Sequence, residues 1–212
     1  MLSGEKIAAL AITEPGGGSD VAALKTTAIR DDDHYVVNGE KTFITSGMRA
    51  DYYTVAGRTG GPGAGGVSLL LIERDREGFG RTKLKKMGWW ASDTAQLFFD
   101  NVRVPVDNLI GQENKGFIGI MLNFNQERLG MSAGACGYAK VCLDEAIAYA
   151  RERYTFGKPL IANQVVRHRL VDMAMRINAV KSTLELLAWR VSQGEKPVAE
   201  ICMLKNLAAS TM

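Results

Sequence analysis

The sequence predicts an α+β protein, in which an antiparallel β-barrel or β-sandwich precedes part of an up-and-down helical bundle. In the first half, about seven short strand-like segments are separated by turn residues with no helical pattern between them. Near residues 108–114 the apolar residues change from alternation to helical spacing. We therefore expect a β-rich domain over residues 1–111 and a partial helical domain over residues 112–212.

The strands follow one another at short intervals. A short apolar run ending at Thr13 predicts the first strand, and Pro15 with the three following glycines ends it in a loop. Acidic residues 31–33 predict a turn between two strands, and Asn38-Gly39 predicts a hairpin. Strands are predicted over residues 25–29, 35–37, 41–45, 52–57, 67–72, 83–87 and 96–104.

Three helices are predicted in the second half. The first has apolar residues at helical spacing from Phe117 and a stretch of small residues, 131–137, against which another helix can pack closely. Gly157 and Pro159 end it. A second helix is predicted over residues 163–192, and Pro197 opens a third. Its apolar pattern is unfinished at residue 212, so we expect a piece of a larger protein.

Composition and residue spacing argue against several classes of function. The 212 residues are 46% hydrophobic with a formal net charge of +3, and the basic residues are scattered, so we expect no nucleic-acid partner. No apolar run is long enough to span a bilayer, and the N-terminus does not resemble a signal peptide. We expect bacterial cytoplasm or, in a eukaryote, the mitochondrial matrix. The two histidines and three cysteines lack metal-ligand spacing, so no metal site is predicted.

The loop at residues 15–19 is the first candidate site. Glycines allow main-chain N–H groups to approach a phosphate, and the Ser19 hydroxyl adds a donor. By itself the pattern is more typical of a structural turn, because it is neither the P-loop nor the dinucleotide fingerprint. Glu14 is expected to be a turn or salt-bridge residue.

Four motifs, taken together, are more specific. They are Thr-Glu-Pro-Gly-Gly-Gly-Ser-Asp (13–20), Phe-Ile-Thr-Ser-Gly (43–47), Ser-Asp-Thr (92–94) and Glu-Arg-Tyr-Thr-Phe-Gly-Lys (152–158). In order and approximate spacing the set resembles the acyl-CoA dehydrogenase family. The resemblance covers that family's middle β domain and about the first half of its C-terminal helical domain.

The resemblance implies FAD as the cofactor. The first motif would run along the flavin and its pyrophosphate, and the second would cover the ring, with Thr45 near the flavin N5. The fourth would reach the FAD of a neighbouring subunit. The implied cofactor-binding residues are Leu10, Ile12, Thr13, Gly18, Ser19, Phe43, Ile44, Thr45, Arg153, Thr155, Phe156, Asn163 and Gln164.

The resemblance also implies an acyl-CoA substrate, contacted by Ser19, Ser92, Asn125 and Arg128. Glu127, in Glu-Arg-Leu, stands where the long-chain and isovaleryl enzymes carry the base that removes the substrate's α-proton. An apolar neighbourhood there would raise the basicity of this carboxylate. The alternative is a surface Glu paired with a neighbouring Arg.

The implied reaction is α,β-dehydrogenation of the thioester to a trans-2-enoyl-CoA. The electrons would pass to an electron-transferring flavoprotein, and the enzyme would be a homodimer or homotetramer. Two alternatives stay open: a nitroalkane-oxidase or monooxygenase-like relative, and a non-catalytic fragment or interaction module of such a flavoprotein.

Overall fold

The computed structural model of the protein describes residues 2–212. They form two compact units that divide after Ile120. A β-sheet in the first unit and three α-helices confirm the predicted α+β class. The expected domain boundary at residue 111 stays a prediction, since the units divide inside the first helix.

The first unit contains an eight-stranded sheet. The strands lie in the order β6-β7-β3-β2-β4-β5-β8, and β1 pairs with β4. Both β1 and β2 run parallel to β4, so the sheet is mixed and not antiparallel throughout; within residues 2–212 it does not close into a barrel. The bounds are β1 (Ala8–Ala11), β2 (Thr27–Asp31), β3 (His34–Thr45), β4 (Tyr52–Arg58), β5 (Val67–Glu73), β6 (Phe79–Lys83), β7 (Thr94–Pro105) and β8 (Leu109–Ile110).

Alternating residues of β3, β4, β5 and β7 fill the core of this unit. Tyr53 is fully buried and meets Phe79 edge to face at 4.8 Å, and Phe79 stacks on Phe99 at 5.1 Å. The packing of Phe79 explains why β6 covers Phe79–Lys83, whereas the sequence predicted a strand over 83–87. An inward-facing aromatic side chain thus decides where this strand lies.

Asn38-Gly39 is not a hairpin, and that prediction is wrong. Strand β3 continues through it with a register shift against β7, and Gly39 alone of the two residues has a positive φ, 142°. A type I′ turn needs positive φ at both central residues. Asn38 accepts a bond from the Asn101 N–H at 2.8 Å, which fixes the irregularity across the strands.

The second unit is built from helices, as predicted. Helix α1 (Gly116–Glu152) begins at the end of the first unit; α2 (Gln164–Ser192) and α3 (Val198–Thr211) follow, with a small hairpin, β9 (Tyr154–Thr155) and β10 (Lys158–Pro159), before α2. Val180 and Leu187 of α2 pack on Ile201 and Leu204 of α3. Ala135 and Cys136 of α1 contact the same cluster, so the small-residue stretch packs closely as expected.

Two further features of the described residues concern function. None of the helices in residues 2–212 combines the length and hydropathy that a bilayer span requires. Over the same range, no group of three or more His, Cys, Asp or Glu side chains is placed to hold a metal ion.

Gly39 supplies a stability test. A Cβ there would lie 2.7 Å from the Thr26 Oγ1 and 2.8 Å from its Cα, in a backbone conformation that L-residues avoid. We expect Gly39→Ala to lower the free energy of unfolding by about 1–3 kcal/mol, measured by urea denaturation. The control is Gly65→Ala, whose Cβ meets open space. Equal stability of the two variants would contradict the steric account.

Candidate cofactor and substrate site

The glycine loop begins just after β1. Glu14 and Gly17 exchange two N–H···O bonds of 3.1 Å, which close a tight turn with Pro15 and Gly16 at its tip. A Cβ on Gly18 would lie 3.0 Å from the Thr13 Cγ2, so glycine lets the loop fold back on Thr13. Residues 15–20 are exposed.

This loop offers free donors. The N–H groups of Gly16, Gly18 and Ser19 donate to no protein acceptor in the described part of the chain. The Ser19 hydroxyl is exposed beside them, and Thr13 is half-buried. Such a set of unpaired main-chain donors suits an anionic group such as a pyrophosphate.

A buried ion pair fixes the start of the loop. The fully buried Lys41 Nζ donates to the Ile12 carbonyl oxygen and to Glu14 Oε1, both at 2.9 Å. Glu14 also accepts the N–H groups of Lys25 at 2.6 Å and Thr26 at 2.9 Å. The expectation that Glu14 is a salt-bridge residue is confirmed.

The pair also sets the charge beneath the loop. Burial raises the pKa of Glu14, but the hydrogen bonds from Thr26, Lys41 and Lys25 outweigh it and hold the pKa below its ordinary value. Burial lowers the pKa of Lys41, and Glu14 offsets part of that effect. Since the carboxylate is neutralised by its partner, it does not repel an anion bound at the loop.

Strand β3 carries the second predicted segment. The Thr42 N–H donates to the Thr13 carbonyl oxygen at 2.8 Å, so this strand lies beside the loop. A bulge between Lys41 and Ile44 places Phe43 at φ 58° with 69% of the residue exposed. Thr45 is exposed and opposite Thr94 in the sheet.

The third predicted segment, around Ser92, joins the same end of the sheet. The Asp93 carbonyl oxygen accepts the Ser46 N–H at 3.0 Å, and its carboxylate accepts the Met48 N–H at 2.7 Å. Arg49 Nε pairs with the other Asp93 oxygen at 3.1 Å. The structure therefore brings the segments of Thr13, Thr45 and Ser92 together.

Within this cluster the predicted residues differ in what they can present. The side chains of Ile12 and Ile44 are buried, so these two can offer a ligand only main-chain groups. Leu10 is half-buried in β1, where it is opposite Thr54. Ser19 and Thr45 present their hydroxyls at the surface of the first unit.

The predicted base lies on α1 in the second unit. Glu127 is exposed, and its Oε1 accepts a bond from the Asn123 amide at 2.7 Å. Arg128 donates to Asn125 Oδ1 at 3.1 Å and lies over the Phe124 ring, so it does not pair with Glu127. The burial expected for a base is not supplied by this unit. The catalytic role of Glu127 stays a prediction.

The fourth predicted segment forms the hairpin of β9 and β10. Phe156 and Gly157, at φ 52° and 76°, occupy its two-residue turn, which fits type I′. Phe156 is fully exposed. The exposed Arg153 forms no ion pair within residues 2–212. The hairpin thus presents an aromatic ring and a cation to a ligand or partner, with the half-buried Thr155 in β9.

Asn163 and Gln164 stand at the start of α2. The Asn163 amide donates to the Leu160 carbonyl oxygen at 3.1 Å, so part of its donor capacity is used locally. Gln164 is exposed at the first helical position. Of the two, Gln164 has its amide available for a ligand.

Sequence patterns did not predict that Lys41 and Asp93 belong to the first-unit cluster. Lys41 could have been noticed as a charge inside a predicted strand, since lysines are almost never fully buried unless paired. Asp93 lies within the Ser-Asp-Thr motif, but nothing in the sequence indicated that it joins Ser92 to the turn after β3. Both contacts are non-local.

Two family models match the chain. The acyl-CoA dehydrogenase middle domain matches residues 9–102, and the acyl-CoA dehydrogenase C-terminal domain matches residues 114–212. Cyclohexane-1-carbonyl-CoA dehydrogenase of Geobacter metallireducens is 40% identical over 205 residues, covering 96% of this chain and 54% of that protein.

Solved structures are similar over nearly the whole chain. A probable acyl-CoA dehydrogenase from Mycobacterium abscessus is 52% identical with a TM-score of 0.96, covering 99% of this chain and 56% of that one. The structure of PigA with FAD and proline is 30% identical with a TM-score of 0.96, covering 99% and 55%. This chain thus spans about half the length of the proteins it matches.

The strained backbone of Phe43 gives a prediction with an unusual sign. Phe43→Gly should raise the free energy of unfolding of the ligand-free protein by about 1 kcal/mol, because glycine tolerates positive φ. The matched variant is Ile29→Gly, at a 65% exposed residue in regular strand, which should lower it by about 1 kcal/mol. Urea denaturation measures both. A loss of stability in both would refute the assignment of strain.

The low pKa of Glu14 predicts a pH dependence. Its folded pKa lies below the ordinary value of 4.5, so the ionised carboxylate stabilises the fold above that pH. This contribution is lost as the pH falls through the folded pKa. The stability difference between wild type and Glu14→Gln, from urea denaturation at pH 7 and at about pH 3, should therefore shrink on acidification. If the stability difference between the two proteins is the same at both pH values, the assignment of a low pKa to Glu14 is wrong.

Proposed function

Because this chain belongs to the acyl-CoA dehydrogenase family, we propose that it takes part in the FAD-dependent α,β-dehydrogenation of an acyl-CoA thioester to a trans-2-enoyl-CoA. The observation that carries the proposal is the convergence of the Thr13, Thr45 and Ser92 segments at one end of the sheet.

The residues of this cluster fit FAD. The N–H groups of Gly18 and Ser19, which have no acceptor among the described residues, suit the pyrophosphate, and the Thr13 and Thr45 hydroxyls suit the polar edge of the ring. Phe43 offers an exposed aromatic face for the ring itself. When bound, FAD supplies the acceptor for the hydride that leaves the substrate's β-carbon.

We assign the adenosine half of a neighbouring subunit's FAD to the hairpin and the start of α2. Arg153, which forms no ion pair within residues 2–212, is a cation for the pyrophosphate, and Phe156 is a fully exposed ring for packing. Thr155, Asn163 and Gln164 lie in the same stretch of chain. This assignment requires a homodimer or homotetramer. An electron-transferring flavoprotein is the expected electron acceptor.

Ser19, Ser92, Asn125 and Arg128 are the proposed contacts of the thioester, and Glu127 is the proposed base. Glu127 removes the α-proton, and the electron pair of that C–H bond forms the C=C bond as the β-hydrogen leaves with its own pair. The Asn123 amide orients one carboxylate oxygen and leaves the other free. The bound thioester would then exclude water from around this exposed carboxylate.

Glu127→Gln tests the base. The variant should retain its FAD, because the substitution is isosteric and the residue is exposed. It should reduce FAD on anaerobic mixing with a panel of acyl-CoAs about a hundredfold more slowly than wild type, as expected for loss of a general base. Stopped-flow absorbance at the flavin band measures the rate.

The matched control is Glu145→Gln, an exposed glutamate on the same helix, which should react at the wild-type rate. If Glu127→Gln and Glu145→Gln react equally fast, Glu127 is not the base. If no acyl-CoA reduces the wild-type flavin, the proposed reaction itself is wrong.

A further inference from the structure

The Lys41–Glu14 pair grips the chain on both sides of Thr13. The Lys41 ammonium holds the Ile12 carbonyl before Thr13 and the Glu14 carboxylate after it, each at 2.9 Å. The next residue of the strand, Thr42, holds the Thr13 carbonyl at 2.8 Å. Three consecutive residues of the loop are thus tied to two consecutive residues of β3.

Glu14 also forms hydrogen bonds with a third segment of the chain. Its two oxygens accept the N–H groups of Lys25 and Thr26, just ahead of β2. One carboxylate therefore receives two main-chain donors and one ammonium, while the ammonium reaches a main-chain carbonyl. The main chain around Thr13 cannot turn without breaking a bond to a buried charge, which is costly.

Stability alone does not account for such a pair. Taking two charges out of water costs about as much as their attraction returns, and well-packed apolar side chains at such positions are often equally stable. Its position matters more. Lys41 lies two residues before Phe43 and four before Thr45, on the strand that carries the second proposed flavin segment.

We propose that Lys41 and Glu14 are positioning residues for the flavin, which lock the Thr13 loop and the Phe43–Thr45 segment into one rigid body. This inference rests on the proposed function, since it assigns FAD to those two segments. In this role the pair contacts neither FAD nor substrate. It acts by keeping the Thr13 and Thr45 groups at a fixed separation before FAD binds, which lowers the entropy cost of binding.

The test uses Lys41→Met and the double variant Lys41→Met with Glu14→Gln. Lys41→Met leaves a buried carboxylate without its cation and should be less stable than wild type. The double variant removes both charges, so its stability should return toward that of wild type. In both, the bond to the Ile12 carbonyl is gone, and FAD should bind about tenfold more weakly, with altered fine structure of the visible flavin band.

Leu70→Ala is the matched control, because Leu70 is fully buried in β5 and forms no bond with the loop. FAD binding is compared at urea concentrations that give Leu70→Ala and Lys41→Met the same folded fraction. Under these conditions the folded Leu70→Ala protein should bind FAD with the wild-type dissociation constant. The inference is overturned if the double variant regains stability and binds FAD with the wild-type dissociation constant and spectrum. The inference is likewise overturned if Leu70→Ala weakens FAD binding as much as Lys41→Met does.

A second readout needs no FAD. In the ligand-free protein, hydrogen exchange of the Thr42 N–H, whose acceptor is the Thr13 carbonyl, should be about tenfold faster in Lys41→Met than in Leu70→Ala. Equal exchange overturns the rigid-body claim. Wild-type protein that binds no FAD would instead refute the proposed function, and the exchange result would still decide whether the pair holds the loop.

Discussion

The salt bridge between Lys41 and Glu14 is the constraint on which the arrangement of the first unit's site depends. Strand β1 pairs with β4, and β3 lies on the other side of β2 in the sheet, so the order of strands alone does not tie the loop after β1 to β3. The ammonium and the Thr42 N–H make that connection. Asp93 then ties the turn after β3 to the Ser92 segment, so three motifs that are distant in sequence lie together.

Two exposed phenylalanines show how this protein stores strain. Phe43 and Phe156 both have φ above 50°, although a side chain with a Cβ disfavours the left-handed region. Neither gains much from burial within its own unit. One is held by a β-bulge and the other by a type I′ turn, so two unrelated devices serve the same end. Strain without burial agrees with the proposal that these two rings pack against FAD.

The sequence predicted those elements that depend on local periodicity. Helix α2 was expected over 163–192 and is found at Gln164–Ser192, because its apolar face repeats at helical spacing over eight turns and Gly194 ends it. Local signals failed where distant contacts decide. Asn38-Gly39 has the composition of a hairpin turn, yet Asn38 accepts the Asn101 N–H and β3 continues through the pair with a register shift against β7.

For the candidate site, too, the sequence predicted the local features and not the long-range contacts. The motifs identified the segments, since their residue types and order are characteristic. The sequence pattern did not predict which side chains of these segments point inward. A single-residue bulge reverses the side of a strand that faces the core, as between Lys41 and Ile44. The parallel pairing of β1 with β4 and the burial of Lys41 are long-range outcomes as well. Pattern reasoning has no access to them.

Two glutamates of the chain, Glu14 and the proposed base Glu127, differ in the hydrogen-bond donors around their carboxylates. Glu14 is buried, but it accepts two main-chain donors and an ammonium, and its pKa is held low, so it is a poor base. Glu127 accepts one bond from a neutral amide and forms no ion pair in the described residues. A carboxylate with few donors changes its basicity most when water is removed from it. The number of donors around each carboxylate, more than its burial in the ligand-free protein, therefore separates the structural glutamate from the proposed catalytic one.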